Sequence, residues 1–248
     1  MIPCTSPQEQ IVDHDLTEVP NSRLSPGPNL MPMSQMTGET WDYINDYSRE
    51  VFGAEDDLLT YLADEAAAAG LPTISVGADV GRLLMILTSM TRGRLAIEVG
   101  TLGGYSAIWI TRGLQRDGRL ITIEPDQKHA DFAQRQFEKA GVADRIDLQR
   151  GTGIEVLSQL AAEVDPGSVD VLFLDAIKGE YTDYFRISRP LVALGGLVIA
   201  DNVYGTGQGW IDQGYGTDEF NRLIADDPDF EAVAMPFRQG VLIGRRVS

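Results

Sequence analysis

Five short β-type segments recur along the chain at nearly constant spacing, and this rhythm constrains the fold more than any other feature. The segments LAIEV (95–99), LITIE (120–124), RIDLQ (145–149), VDVLFLD (169–175) and GLVIAD (196–201) begin 25, 25, 24 and 27 residues apart. Each interval has room for one helix, as in DQKHADFAQRQFEKAG at 126–141. Strands that alternate with crossover helices are typical of a parallel sheet with helices on both faces.

The end of the chain departs from this rhythm. FEAVAMP (230–236) and GVLIGRR (240–246) are separated by only three residues, which suffice for a hairpin but not for a crossover helix. We therefore predict an α/β fold with a doubly wound, mostly parallel sheet that ends in an antiparallel C-terminal hairpin. Before the first strand, the apolar spacing predicts helical structure from Trp41 to Gly70 and a further helix from Ala78 to about Thr91.

Charge and composition limit the partners that we expect. The net charge of −17 would repel nucleic acid, and Cys4, as the single cysteine, permits no internal disulfide. No apolar run is long enough to span a bilayer, and no targeting segment is evident, so we expect a soluble cytoplasmic protein without a membrane partner. Six of the twelve prolines fall within residues 3–32, which predicts an extended arm over 1–40 and a single domain over 41–248.

The loop after the first strand has the composition of a ligand-binding turn. It reads EVGTLGGYS (98–106), in which three glycines allow the backbone to approach a ligand, although tight turns use glycine without any ligand. Leu102 breaks the GxGxxG pattern of a dinucleotide-binding loop. A carboxylate within a buried strand is costly unless it is paired. We expect Glu98 either to accept bonds from nearby backbone N–H groups or to orient a ligand.

The second and third strands end in residues that suit an adenosine group. Glu124 ends the second strand 20 residues beyond Gly104, where an acid can accept the ribose hydroxyls. A role as the cap of the next helix is the alternative, but Asp126 already suits that position. The turn Gly151-Thr152-Gly153 (151–153) could place its N–H groups near an adenine, or could simply begin a helix.

The fourth and fifth strands deliver the residues that carry the chemistry. Asp175 ends the fourth strand, Lys178 follows it, and the fifth strand ends in Asp201-Asn202. If these strands are neighbours, three oxygen ligands converge at one edge, which suits Mg²⁺ before Ca²⁺ or Mn²⁺. Zn²⁺ is disfavoured, since the histidines are His14 in the arm and His129 on a helix that we expect to face solvent. The alternative is that these residues only form turns.

Several of these blocks together resemble a known family. The segments ISVGADVGRLL (74–84), EVGTLGGYSA (98–107), IEPDQKHADFAQ (123–134), LFLDAIKGEY (172–181) and IADN (199–202) occur in the order found in the cation-dependent O-methyltransferases. That family includes the catechol and caffeoyl-coenzyme A enzymes, which use S-adenosylmethionine. The resemblance covers about residues 70–246.

The resemblance implies a fold, a cofactor and a set of site residues. The fold is the seven-stranded, Rossmann-like sheet of the class I methyltransferases with a reversed final strand, and the family implies a homodimer. The implied cofactor residues are Ser75, Val76, Glu98, Gly100, Tyr105 and Ser106 around the methionine part, Glu124 at the ribose, and Asp175 beside them. The implied metal ligands are Asp175, Asp201 and Asn202, with Lys178 as the catalytic lysine.

The predicted reaction is a divalent-metal-dependent transfer of a methyl group from S-adenosylmethionine to a hydroxyl of a catechol-like or vicinal-diol molecule. Lys178 would take the proton of that hydroxyl, and the alternative is a surface lysine paired with Glu180. Ile177 replaces an acid or aromatic residue that is common in the family, so the pocket wall differs. Three alternatives stay open: a metal-independent methyltransferase acting on a carrier-bound or nitrogen nucleophile, an NAD(P)-dependent oxidoreductase, and a non-enzymatic cofactor-binding protein.

Two further segments are candidates for the acceptor site. VYGTGQGWIDQGYG (203–216) interleaves glycines with aromatic residues, which favours a mobile loop over a flat acceptor. The alternative is a surface loop whose aromatic rings pack onto the domain. Met33, Met36 and Trp41 could wall the pocket or contact a second subunit, with core packing as the alternative for Trp41.

Overall fold

A computed structural model of the chain describes residues 38–206, 209–211, 215–236 and 238–248. The predicted arm, including Met33 and Met36, thus lies almost entirely outside the described residues. The helices are α1 (Gly38–Phe52), α2 (Asp57–Ala68), α3 (Ala78–Ser89), α4 (Tyr105–Gly113), α5 (Gln127–Lys139), α6 (Gly153–Glu163), α7 (Tyr181–Ser188) and α8 (Asp218–Ala225). None of the helices in these ranges is both long enough and apolar enough to cross a bilayer.

The strands form one seven-stranded sheet and a small two-stranded ladder. They are β1 (Leu95–Val99), β2 (Arg119–Glu124), β3 (Ile146–Arg150), β4 (Val169–Leu174), β5 (Val192–Asp201), β6 (Gly205–Thr206), β7 (Gly209–Trp210), β8 (Phe230–Met235) and β9 (Val241–Arg246). The large sheet has the order β3-β2-β1-β4-β5-β9-β8, in which β1 to β5 pair in parallel and β9 pairs antiparallel with both β5 and β8. This topology confirms the predicted fold.

The central strand β4 explains why helices cover both faces of the sheet. Every residue of β4 is buried, and its side chains alternate between the two faces. Val171 and Phe173 join an apolar cluster with side chains of α2, α3, α4 and α5, whereas Leu172 and Leu174 join a second cluster with α6, α7 and α8. A strand that is buried on both faces is nearly continuously apolar, as the run VLFL (171–174) within β4 is.

The helical region before the sheet is divided in two, whereas the apolar spacing predicts one continuous helical stretch from Trp41 to Gly70. α1 ends at Phe52 and is followed by Gly53, where only glycine fits: a Cβ there would lie 2.5 Å from the carbonyl O of Arg49. Asp56 then begins α2 by accepting a hydrogen bond from the backbone N–H of Leu59 at 3.1 Å. Trp41 is half-buried, and α1 contains no fully buried side chain.

Candidate active site

A cavity of about 870 Å³ opens at the carboxyl ends of β1, β2, β4 and β5. Ligands of open parallel sheets bind at this edge. The predicted site residues that line the cavity are Ser75, Val76, Gly100, Tyr105, Ser106, Glu124, Asp175, Lys178 and Asn202. Among the described residues, Glu98, Asp201 and the turn 151–153 are not part of this lining. The structure therefore brings most of the predicted residues together around one space.

The glycine-rich loop is shaped by close contact with neighbouring elements. Gly100 has a φ of +103°, and a side chain there would collide with the carbonyl O of Asp175. Gly104 precedes α4 with a φ of +84°, and a Cβ there would lie 2.5 Å from the ring of Phe137. Only glycine adopts this backbone without strain and leaves space for these neighbours. The loop thus lets the end of β1 pack directly against the end of β4.

Glu98 lies behind the cavity as a fully buried acid in β1. The hydroxyl of Thr122 donates to its Oε2 at 2.5 Å, and its Oε1 has no hydrogen-bond partner among the described residues. Burial raises the pKa of Glu98 to about 8, while the nearby side chains of Ser106 and Thr122 act in the opposite direction. The hydrogen-bond partner of this acid is thus a side-chain hydroxyl, and the alternative of backbone N–H partners is wrong.

Glu124 holds the glycine-rich loop in position. Its Oε2 accepts a hydrogen bond from the backbone N–H of Leu102 at 2.8 Å, and its Oε1 accepts one from that of Asp126 at 2.9 Å. Asp126 caps α5, as expected, so Glu124 is not the cap. His129 does not face solvent as predicted: it is half-buried, with its Nδ1 3.3 Å from Oε1 of Glu124.

The turn 151–153 begins helix α6. The side chain of Thr152 accepts a hydrogen bond from the backbone N–H of Glu155, and the carboxylate of Glu155 accepts one from the backbone N–H of Thr152. This reciprocal pair is a capping box, which stabilises a helix start. The backbone N–H of Gly151 lies 3.5 Å from the carbonyl O of Glu124, so the turn lies next to the end of β2. Its contact with an adenine remains a prediction.

Lys178 links the ends of β4 and β5, which are neighbouring strands. Its Nζ donates to Oδ1 of Asp175 at 2.7 Å and to the hydroxyl of Tyr181 at 2.7 Å, and lies 3.4 Å from the carbonyl O of Asp201. Glu180 accepts a hydrogen bond from Tyr184 instead, so the predicted alternative pairing of Lys178 with Glu180 is wrong. The side chain of Lys178 is only 15% exposed.

Tyr181 is a site residue that the sequence motifs did not indicate. Its hydroxyl donates toward the carbonyl oxygens of Leu174 at 2.9 Å and Asp201 at 3.1 Å, and it accepts from Lys178. The ring is fully buried, and burial raises the pKa of this tyrosine well above its ordinary value. Its spacing of three residues from Lys178 at a helix start is the one signal that could have indicated the contact. Tyr181 thus fixes the position of the lysine.

Asp201 is a buried carboxylate whose hydrogen bonding is incomplete. It is 5% exposed, and its Oδ1 has no partner among the described residues. Burial, followed by the charge of Asp175, raises the pKa of Asp201 to about 7, while Lys178 and Arg238 act in the opposite direction. A buried carboxylate oxygen without a partner is costly. A divalent cation at this position would remove that cost.

The predicted ligand set has the chemistry of a hard-cation site. Asp175 and Asn202 both line the cavity, and Asn202 has a φ of +57°, directly after the buried Asp201. Two carboxylates and one amide oxygen are ligands that Mg²⁺ or Ca²⁺ accepts. In the described ranges, no three acidic, histidine or cysteine side chains converge on one point, so the site depends on this amide as its third donor. The residues present therefore fit a divalent cation.

A family comparison decides the class of this protein. The model of the family described as O-methyltransferase matches residues 48–247. The chain belongs to this family. The match confirms the predicted family and the enzyme class of an O-methyltransferase, and it contradicts the oxidoreductase alternative.

Individual relatives support the same assignment. A catechol O-methyltransferase of Niastella koreensis is 39% identical over 177 residues, which cover 70% of this chain and 78% of that protein. A caffeoyl-CoA O-methyltransferase of Eucalyptus globulus is 28% identical over 80% of this chain and 85% of that protein. The crystal structure of an O-methyltransferase from Bacillus cereus in complex with SAH (S-adenosylhomocysteine) is 32% identical, with a TM-score of 0.75 over 84% of this chain and 99% of that chain.

In this O-methyltransferase, the aromatic residues of segment 203–216 have different environments. The ring of Tyr204 packs against Gly240, and its hydroxyl donates to the carbonyl O of Ala234 at 2.8 Å, so this residue packs onto the domain. Tyr215 lines the cavity, and the side chain of Trp210 lies outside the described part of the chain. Ile177 also lines the cavity, 61% exposed, as an apolar wall.

Proposed function

We propose that this O-methyltransferase transfers a methyl group from S-adenosylmethionine to a hydroxyl of a catechol-like acceptor, and that it requires a divalent cation. The observation that carries the proposal is the arrangement at the ends of β4 and β5. There the partly unpaired carboxylate of Asp201 lies beside Asn202, and Lys178 connects Asp201 to Asp175. The arrangement lies next to a cavity of about 870 Å³ whose glycine-rich loop suits a cofactor.

The cofactor would occupy the part of the cavity beside the glycine-rich loop. The structural relative from Bacillus cereus was crystallised with SAH, which supports this placement. Glu124 lines the cavity and has lone pairs beyond the two backbone hydrogen bonds that it accepts, so it can accept bonds from ribose hydroxyls as well. Ser75, Val76, Glu98, Gly100, Tyr105 and Ser106 would surround the methionine part, with the turn 151–153 near the adenine.

The cation would be held by Asp175, Asp201 and Asn202, and Mg²⁺ is the preferred ion for these oxygen donors, ahead of Ca²⁺ or Mn²⁺. When bound, it lowers the pKa of an adjacent hydroxyl and fixes the direction of that oxygen. Asp175 and Asp201 are close enough for their charges to interact, and the positive charge of Lys178 compensates part of their negative charge.

Lys178 would act as the general base. Its Nζ is held at one position by Asp175, Tyr181 and the backbone of β5, so that, once it has lost its own proton, it can take the proton of a hydroxyl that enters from the cavity. Methyl transfer from a sulfonium is an in-line displacement, and placing the two reactants in line supplies much of the acceleration. Lys178 and the cavity walls around it therefore serve both deprotonation and alignment.

The acceptor class is argued from the cavity wall and from the relatives. Ile74, Ile177 and Tyr215 line the cavity and present apolar surface that suits a flat ring. The relative from Niastella koreensis is a catechol O-methyltransferase, which favours a small catechol over a coenzyme A ester. The two adjacent hydroxyls of a catechol also match a site with a divalent cation beside a base.

The test is methylation of catechol with labelled S-adenosylmethionine, in Mg²⁺ and again with a chelator. We expect turnover only with the metal, and we expect Lys178→Gln to lower kcat by about 10² to 10⁴-fold. The affinity of the variant for S-adenosylhomocysteine should stay nearly unchanged, and Lys139→Gln, on the exposed end of α5, is the matched control. Equal turnover in chelator would support the metal-independent alternative, and no methylation of catechol would reject the acceptor class.

A further inference from the structure

An arginine stands in an unusual backbone conformation close to the proposed metal ligands. Arg238 lies in the turn between β8 and β9 with a φ of +54°. The turn is tied to the residues that follow Asn202, because the backbone N–H of Val203 donates to Gly240 at 3.1 Å and that of Tyr204 donates to Gln239 at 3.0 Å. Residues other than glycine rarely adopt this conformation, and they are often found in it at functional sites.

The guanidinium of Arg238 lies beside a residue that follows the cavity lining. Its Nη1 lies 2.6 Å from the point where a Cβ on Gly77 would stand, so the absence of a side chain at Gly77 makes room for it. Gly77 directly follows Ser75 and Val76, which line the cavity, whereas Arg238 is not part of that lining. The positive charge of Arg238 also acts on the buried carboxylate of Asp201. Arg238 is thus next to the edge of the cavity and near enough to Asp201 for its charge to matter.

The hydrogen-bonding capacity of this guanidinium is not satisfied within the described residues. Nη1 is buried there without a hydrogen-bond partner, and no described carboxylate lies within the 4.0 Å of an ion pair. Asp79 is the nearest candidate across Gly77, yet its Oδ2 is also without a partner. Buried donors without partners are costly, and a planar carboxylate matches the fork of a guanidinium.

The charge of the surroundings gives this residue a selective role. The chain carries a net charge of −17, so an anionic acceptor would be repelled unless a cation lies near the site. Lys178 is already paired with Asp175. Arg238 has no such pair among the described residues, so its charge is available to an anionic group on the acceptor.

We propose that Arg238 is a specificity-determining residue that binds a carboxylate substituent of the acceptor. The favoured substrates would then be catechols that carry a carboxylate, rather than neutral or cationic catechols. This inference rests on the proposed function, because it assigns the acceptor class of the same site.

The test compares two acids with their uncharged amides. The acceptors are 3,4-dihydroxybenzoate and 2,3-dihydroxybenzoate, each measured against the corresponding dihydroxybenzamide, so that the charge changes while the shape is kept. We expect kcat/KM for at least one acid to exceed that for its amide by about tenfold or more. In Arg238→Gln this ratio should fall to about one, and in Arg238→Lys it should be partly retained because the charge remains.

Arg238→Gly is a second variant, which separates loss of the side chain from loss of the fold, because glycine suits the positive φ at this position. Its melting temperature should equal that of the parent or exceed it, and its ratio of kcat/KM for acid over amide should still fall to about one. Arg222→Gln, on the exposed face of α8, is the control and should keep the parent ratio.

Two results would overturn the inference. The first is a ratio near one in the parent for both pairs. The second is a parent ratio that Arg238→Gln leaves unchanged, whether kcat/KM is kept for both acceptors or falls equally for both. An equal fall would make Arg238 only a structural counterion of Asp79. If the amides are methylated and the ratio of kcat/KM for acid over amide is near one, this inference alone fails. If neither amide nor acid is methylated, the proposed function itself fails.

Discussion

The buried acid Glu98 makes the stability of this protein depend on pH in a defined direction. Burial raises its pKa from 4.5 to about 8 in the folded chain. The folded state therefore keeps a proton that the unfolded chain releases between these two values. The stabilising effect of this proton is complete below pH 4.5 and is lost as the pH rises toward about 8.

The magnitude follows from this shift in pKa. Within the window, each pH unit changes the free energy of unfolding by about 1.4 kcal/mol for one proton. Glu98→Gln keeps the shape of the side chain and removes the titration. From about pH 5.5 to about pH 7.5, the variant should thus gain about 2.5 kcal/mol relative to the parent, or about 5 to 10 °C in melting temperature.

The assay is urea unfolding of both proteins at several pH values in this window, with a chelator present so that no divalent cation binds either protein. Asp201 and the other acids are common to both proteins, so their titration cancels in the difference to a first approximation. Glu163→Gln, at the exposed end of α6, is the matched control and should show no pH-dependent difference from the parent. A constant difference between Glu98→Gln and the parent across the window would refute the reasoning.

Two further substitutions test the glycine-rich loop and the proposed ribose contact. Gly104→Ala should cost about 2 to 4 kcal/mol in chemical unfolding, because it combines a positive φ with a clash against Phe137, whereas Gly141→Ala has only the positive φ and should cost about 1 kcal/mol. Equal costs would contradict the packing argument. Glu124→Gln should weaken binding of S-adenosylhomocysteine about tenfold by calorimetry. Glu138→Gln on α5 is its control, and unchanged binding by Glu124→Gln would remove the ribose assignment.

The sequence predicted the sheet well because its signals are local. Apolar runs such as 171–174 separate cleanly from amphipathic segments, and the three-residue gap before the last strand permits only a hairpin. The boundaries of the strands were predicted less well. β5 begins at Val192, four residues before the predicted start. Its pairing with β4 continues on both sides of a register irregularity, and Gly195 and Gly196 lie within that irregularity. The break after Phe52 depends on a backbone contact that no periodicity reveals.

The candidate site was predicted in its residue types but not in its contacts. Strand ends converge by topology, so Asp175, Lys178 and Asp201 could be placed at one edge from their positions alone. Which groups pair there depends on distances between side chains from different elements. The approach of Arg238 to Gly77 joins elements that are far apart in the sequence, so no local pattern indicates it. His129 is only five residues from Glu124, but their contact depends on the course of the turn between β2 and α5.

The central claim is that Asp175, Asp201 and Asn202 hold a divalent cation, and calorimetric titration with Mg²⁺ tests it without any catalytic step. We expect the parent chain to bind one Mg²⁺ ion and Asp201→Asn to bind it at least about tenfold more weakly. Loss of a residue that only hydrogen-bonds to a metal ligand already lowers metal affinity about tenfold or more, so loss of a ligand's charge should do at least as much. Asp183→Asn, exposed on α7, should bind like the parent. Absence of Mg²⁺ binding by the parent, or equal affinity in Asp201→Asn, would contradict the account.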